Sequence, residues 1–185
     1  GHGYLREPKS IQSYAALAAI AIQSNQNDQH GGQSIPNFDY GMAEGVAKTY
    51  KKAFTRRLRD AVEDYLDQED AEYTVSAVIA DAEKTTGEVA KLQSSAAYIA
   101  AVVEGLTKAF KMDQATAEKL VKRASERAYK KTDRDTKQAM EGFVHNLNTM
   151  HSRAGAQTPF SSINYGTDTS PEGRMVIRNI LMALD

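Results

Sequence analysis

The residues best equipped for chemistry lie together in His151-Ser152-Arg153-Ala154-Gly155-Ala156-Gln157-Thr158-Pro159. An arginine, free backbone N–H groups around a glycine, and amide and hydroxyl groups can hold a phosphate or read the edge of a base. The same residues also suit a polar helix-to-strand connection closed by Gly155. Other routes to catalysis find no support. His145 and His151 are six residues apart, whereas a spacing of four would put two imidazoles on one helical face within reach of a metal. Gly-x-Ser-x-Gly, Gly-x-x-x-x-Gly-Lys and Gly-x-Gly-x-x-Gly are all absent. The chain has no cysteine, which excludes disulfides, thiolate nucleophiles, thiyl radicals and cysteine-bound zinc or iron–sulfur sites. No catalytic residue and no metal ligand is assigned.

The elements that would position this loop are mostly helical. Residues 10–25 are rich in Ala, with Ile11, Tyr14, Ala18 and Ile22 on one stripe. Residues 43–67 read as a long helix with Val46, Tyr50, Phe54, Leu58, Ala61 and Tyr65 as its apolar stripe. Gln68 to Glu72 is too acidic to pack and reads as a connection. Leu92, Ala96, Ile99, Val103, Leu106 and Phe110 recur at steps of four and three, the pattern of a helix–helix seam whose partner could come from the same chain or another. Asp113 suits the N-cap of a helix reaching about Lys131. A further helix over 134–151 would turn Met140, Phe143, Leu147 and Met150 inward. Ser170-Pro171-Glu172 opens the last helix with a cap, a proline at the first position and an acid in the first turn. Two stretches read otherwise: Gln29 to Tyr40, rich in Gly and Asn, and Ala154 to Asp168, where Phe160 to Tyr165 alternates as a short strand.

Composition bounds these readings. The chain has 185 residues, 41% hydrophobic and 25% charged, with net charge −1. That is enough to bury about two-thirds of the unfolded surface. No apolar run approaches the roughly 18 residues of a membrane span, and no secretory signal is visible, so a cytoplasmic location without a membrane partner is expected. Near-zero net charge argues against bulk nucleic-acid binding. Charge is nevertheless segregated. Residues 60–88 hold ten acids against Lys84, while residues 118–137 hold eight bases against four acids. Two solvated helix faces explain this; a phosphate-binding face is the functional alternative for the basic stretch.

The stretch from Ala139 to Arg174, with Gly142-Phe143-Val144-His145-Asn146-Leu147-Asn148-Thr149-Met150-His151-Ser152-Arg153-Ala154-Gly155 at its centre, resembles the catalytic chain of class III, anaerobic ribonucleoside-triphosphate reductases. Gly1-His2-Gly3-Tyr4-Leu5-Arg6-Glu7-Pro8 and the run from Asn27 through Tyr40 resemble the same family in the same order. The resemblance spans the chain. It is dense in these three blocks and loose over 60–130.

The resemblance implies a fold and a chemistry. Members reduce ribonucleoside triphosphates to 2′-deoxy forms through a glycyl radical, a thiyl radical and abstraction of the 3′-hydrogen in a ten-stranded α/β barrel. The expected fold is therefore mainly α with two or three short strands, a single piece of that barrel over 1–185. The ATP cone, the cysteines, the C-terminal zinc site and the glycyl-radical domain are absent from it. The chain alone would carry no cofactor and no activity. The parent would take a ribonucleoside triphosphate substrate, a deoxynucleoside triphosphate effector and a radical-SAM activating enzyme.

His30, Gly31, Gly32, Gln33 and Ser34, with Ser161, Ser162 and Asn164, would line the substrate; glycines on a strand allow close backbone approach. Ser152, Arg153, Ala154, Gly155, Ala156, Gln157 and Thr158 match the loop that couples the family's specificity site to the active site. Glu7, Lys9, Lys51 and Lys52 are candidate effector contacts on helices expected at the dimer interface. A homo-oligomer is expected, since a partial sheet leaves unpaired edges and apolar surface. Two readings stand beside the fragment: an autonomous helical module for dimerisation and deoxynucleotide binding, and a helical interaction protein no longer tied to nucleotides.

Overall fold

The computed structural model describes residues 7–28, 38–154 and 168–185. Among these, the regular elements are six helices: α1 (Ile11–Asp28), α2 (Phe38–Leu66), α3 (Glu72–Thr86), α4 (Ala96–Phe110), α5 (Gln114–Ala154) and α6 (Pro171–Leu184). The chain divides into two compact units, Gly1–Thr49 with Asp133–Asp185, and Tyr50–Thr132. Helices α2 and α5 each contribute to both.

The unit Tyr50–Thr132 is a helical bundle around one continuous core. The core draws Tyr50, Phe54, Leu58 and Val62 from α2, Val75, Val78 and Ile79 from α3, Tyr98, Val102 and Leu106 from α4, and Leu120, Val121, Ala124 and Ala128 from α5. Fully burying one such aliphatic or aromatic side chain contributes about 1.5–3 kcal/mol. Tyr50, Phe54 and Tyr98 form a column with ring centroids 6.2 and 6.4 Å apart. Local chemistry sets the joints. Asp67 and Asp70, at φ 50 and 71, turn the chain out of α2, and Asp tolerates that left-handed region better than most residues. The Glu63 carboxylate accepts from the Ala71 N–H at 3.0 Å and ties the turn to its helix. Gly87 closes α3 at φ 72. Ser95 accepts from the Tyr98 N–H at 3.0 Å to start α4, and Asp113 accepts from the Thr116 N–H at 2.7 Å to start α5.

In the other unit, α1 buries Ile11, Ala15, Ala19 and Ile22, and the first half of α2 buries Phe38, Met42 and Val46. The second half of α5 contributes Met140, Phe143 and Leu147, and α6 contributes Met175, Val176 and Ile180. Phe38 and Phe143 meet with centroids 5.2 Å apart. Ser170 accepts from the Gly173 N–H at 3.0 Å and caps α6, with Pro171 in its first turn, as its sequence predicts.

Three expectations need correction. First, no strand, sheet or part of a barrel is present among the described residues. The described segments bury their apolar stripes helix against helix, so the fold is helical rather than a piece of an α/β barrel. The segments expected as strands, His30 to Ser34 and Phe160 to Tyr165, lie outside the described residues. Second, the two helices expected over 113–151 are one helix, α5, of 41 residues. No Gly or Pro stands at the supposed break, and the buried Thr132 hydroxyl donates to the Ala128 carbonyl at 2.7 Å, which satisfies it inside the helix. Third, α4 begins at Ala96 and buries Tyr98, Val102, Val103 and Leu106, whereas the seam as written leaves Ala96 exposed and Leu92, Ile99 and Phe110 only half-buried. Among the described residues, no helix is long and apolar enough to cross a membrane.

Candidate functional site

In the unit built from the chain's two ends, the polar centre is Lys48 on α2. Its Nζ donates to the Pro8 carbonyl at 2.9 Å and to the Tyr14 hydroxyl at 3.1 Å. It also pairs with Glu7 at 3.0 Å and Glu44 at 3.5 Å. The ammonium is held charged, chiefly by its hydrogen bond with Tyr14 and also by Glu7, against the desolvation that opposes it. The hydrogen bond and charge of Lys48 bring the Glu7 carboxyl below its usual range, while burial pushes the Tyr14 phenol up. The group works as a fixed cation that fastens the segment before α1 to α2. It offers neither a free base nor a free acid near neutral pH. Alongside it, the Thr49 hydroxyl accepts from the Ile11 N–H at 3.0 Å and caps the start of α1.

This arrangement places one candidate effector contact, Glu7, in an ion pair. A ligand reaching Glu7 would compete with Lys48. Lys48 itself is not among the sequence candidates; the available signal was its i,i+4 spacing from Glu44. Lys9 is exposed near the start of α1. Lys51 and Lys52 begin the portion of α2 that belongs to the second unit. There Lys51 pairs with Glu83 of α3 at 3.0 Å, and Lys52 is exposed. Glu7 and Lys51 are each committed within their own unit.

Ser152, Arg153 and Ala154 are the last residues of α5. Gly155, Ala156, Gln157 and Thr158 lie outside the described residues, as do the substrate candidates His30, Gly31, Gly32, Gln33, Ser34, Ser161, Ser162 and Asn164. The segment that leads into α6 is firmly built. The Asp133 carboxylate accepts from Asn179 at 3.0 Å and pairs with Arg178, fastening α6 to α5. The Asp168 carboxylate accepts from the Ser170 N–H at 2.8 Å. A β-carbon on Gly173 would lie 2.7 Å from atoms of Asp168, so that turn needs a glycine. The loop is thus bounded by the end of α5 and by the capped start of α6.

A separate open groove of about 580 Å³ in the unit Tyr50–Thr132 is lined by Ile99, Ala100, Val103 and Glu104 of α4 and Glu118 of α5, among others. None of its residues belongs to the blocks that carry the family resemblance.

A family model described as anaerobic ribonucleoside-triphosphate reductase matches residues 1–184. No curated protein matches the chain. The family match runs through α1, both halves of α2, α5 and α6, and includes the Ser152–Thr158 segment. The chain belongs to the anaerobic ribonucleoside-triphosphate reductase family.

Proposed function

We propose that this chain is a fragment of the catalytic chain of an anaerobic ribonucleotide reductase, cytoplasmic in its parent, and that it supplies part of the substrate wall, the specificity loop and the dimer contact while being inactive alone. The observation that carries this reading is the family match over residues 1–184. The parent activity reduces ribonucleoside triphosphates to deoxyribonucleoside triphosphates by radical chemistry.

The glycyl radical would supply the hydrogen-abstracting power, relayed through a cysteine, and zinc would sit among cysteines. The thiyl relay and the zinc do not fit the residues present, because the chain contains no cysteine. No chemical step is therefore assigned to it. What its residues can supply is binding. Ser152 to Ala154 end a single helix of 41 residues, and Gly155 to Thr158 follow it. Their backbone N–H, amide, hydroxyl and guanidinium groups are those a nucleotide requires. The autonomous binding module remains the second reading, favoured by the closed hydrophobic core of the Tyr50–Thr132 unit.

Two measurements test this. The purified chain, supplied with a ribonucleoside triphosphate, a reductant and a radical-SAM activating enzyme, should form no deoxynucleotide; turnover would overturn the fragment reading. Among the four deoxynucleoside triphosphates, at least one should raise the melting temperature. Stabilisation reaches about 2.7 kcal/mol at a hundred times the dissociation constant, and Arg153→Ala should reduce it. A melting temperature unmoved by all four would remove the effector role.

A further inference from the structure

Between Ala117 and Lys130, the two sides of α5 differ in chemistry. Ala117, Leu120, Val121, Ala124 and Ala128 are buried in the core of the Tyr50–Thr132 unit. Lys119, Lys122, Arg123, Arg127 and Lys130 are exposed, and none of the five enters a salt bridge among the described residues. Steps of three and four residues keep them on one side of the helix, in a row about 16 Å long at 1.5 Å per residue. Lys51, Arg59 and Lys108 of the same unit are engaged instead, by Glu83, by Asp60 with Glu72, and by Glu104. The near-zero net charge of the chain averages this row with exposed acids elsewhere, among them Asp64, Asp67, Glu69 and Asp70.

A row of cations suits an extended anion, because every phosphate it neutralises releases condensed counterions. Its length matches roughly five phosphates of a stacked strand, at about 3.4 Å each. A bilayer is a poor fit, since the exposed residues of this stretch include no aliphatic side chain to insert. They do include one aromatic. Tyr129 is 40% exposed and stands about two turns beyond Lys122, on the flank of the row. A base can stack on such a ring only when it is unpaired and splayed out.

We propose that the outer side of α5 binds single-stranded nucleic acid without regard to sequence, the five cations holding the phosphodiester backbone and Tyr129 stacking on a base. Glu126 is exposed within the row and weakens the contact by repelling phosphate. The surface shares no residue with the loop proposed to meet a nucleotide, Ser152 to Thr158, so the failure of either reading leaves the other standing.

The test is fluorescence anisotropy of a labelled oligothymidylate with the full chain, titrated over a range of salt. The double-logarithmic plot of affinity against salt should have a slope of about −3, at roughly 0.7 for each of four or five phosphates. Arg123→Gln with Arg127→Gln should make the slope shallower by about 1.4, the share of two phosphates. Tyr129→Ala should weaken binding about fivefold or more with the slope kept. Glu126→Gln should tighten binding about threefold at low salt, the effect of one unit charge some 7 Å away in water, and a gain cannot come from unfolding. Lys108→Gln, which removes a cation from α4, should change nothing. Unchanged helical circular dichroism verifies that each variant folds. A wild-type chain without salt-dependent binding, a paired arginine variant with an unchanged slope, or no gain from Glu126→Gln would each overturn the proposal. So would a duplex bound as tightly as the single strand, or displacement of the oligonucleotide by a deoxynucleoside triphosphate at equal phosphate concentration, since the row would then serve paired strands or a mononucleotide.

Discussion

Gly45 of α2 lies so close to Tyr14 of α1 that a β-carbon on it would stand 2.9 Å from Cδ2 of the ring and 3.0 Å from the Cα of Ile11. The glycine lets the two helices approach until the Ile11 N–H reaches the Thr49 hydroxyl and Tyr14 reaches Lys48. Gly45→Ala should gain up to about 1 kcal/mol of helix propensity and lose about 1–3 kcal/mol to overpacking. Because a Cα cannot move aside as a side chain can, net destabilisation is expected in urea unfolding. A variant as stable as the wild type would show that α1 can back away without cost.

Gly105 and Val78 make the corresponding contact between α4 and α3. A β-carbon on Gly105 would lie 2.7 Å from Cγ1 of Val78. Here the obstacle is a side chain, so its removal should relieve the clash. The expected result is a double-mutant cycle with coupling of about 0.5–3 kcal/mol between Gly105→Ala and Val78→Ala. Additive losses would mean that the helices do not meet at this point.

The Tyr98 hydroxyl is buried in the core without a hydrogen-bond partner. Burial, followed by the nearby charge of Glu83, pushes its ionisation well up, so the phenol stays neutral. An unpaired buried hydroxyl costs about 1–3 kcal/mol. Tyr98→Phe keeps the ring beside Phe54 and removes the orphan, so thermal unfolding should show an unchanged or raised melting temperature. A clear fall would reveal a partner for the hydroxyl, such as a buried water.

Glu7 makes stability depend on pH. Its hydrogen bond and ion pair with Lys48 hold its folded-state pKa below the ordinary glutamate value. A carboxylate depressed in this way stabilises the fold above its unfolded pKa and loses that contribution as pH falls through the folded value. Glu104, lowered by Lys108, and Asp113, lowered by its bond with Thr116, act in the same direction. The melting temperature of Glu7→Gln should therefore lie below the wild type at neutral pH, and the gap should close in acid. A gap that widens in acid would reverse the assignment.

Ser170→Ala should lower stability by about 0.5–2 kcal/mol, because it leaves the Gly173 N–H without its cap. In the same variant, any deoxynucleotide-dependent rise in melting temperature should shrink if α6 and the preceding loop move together. A preserved rise would separate the cap from the loop.

Much of the helical reading was open to inspection because its causes are local. The stripe of α2 from Val46 through Ala61 is buried as its spacing requires, although Tyr65 at its end is exposed. Asp113 and Ser170 cap the helices they precede, since capping depends only on residues within one turn. Of the acidic stretch Gln68 to Glu72, the part up to Ala71 is the connection its charge implied, while Glu72 already opens α3. Boundaries were less legible. The continuity of α5 through Thr132 rests on a hydroxyl satisfied within the helix, and the choice of Tyr98 and Val102 as the inner side of α4 depends on where α3 sits.

The candidate site was legible only as a set of residue types. Sequence by itself determined that the chain has no thiol for radical chemistry, that amphipathic helices dominate it, and that its residues match a reductase family from end to end. Tertiary structure decided which charges are engaged. It committed Glu7 to Lys48 and Lys51 to Glu83, and brought Gly45 against Tyr14 and Gly105 against Val78. Capping and periodicity act within a few residues, so they can be read along the chain. Ion pairing and close packing depend on which helices meet and at what distance, and only the folded chain sets that.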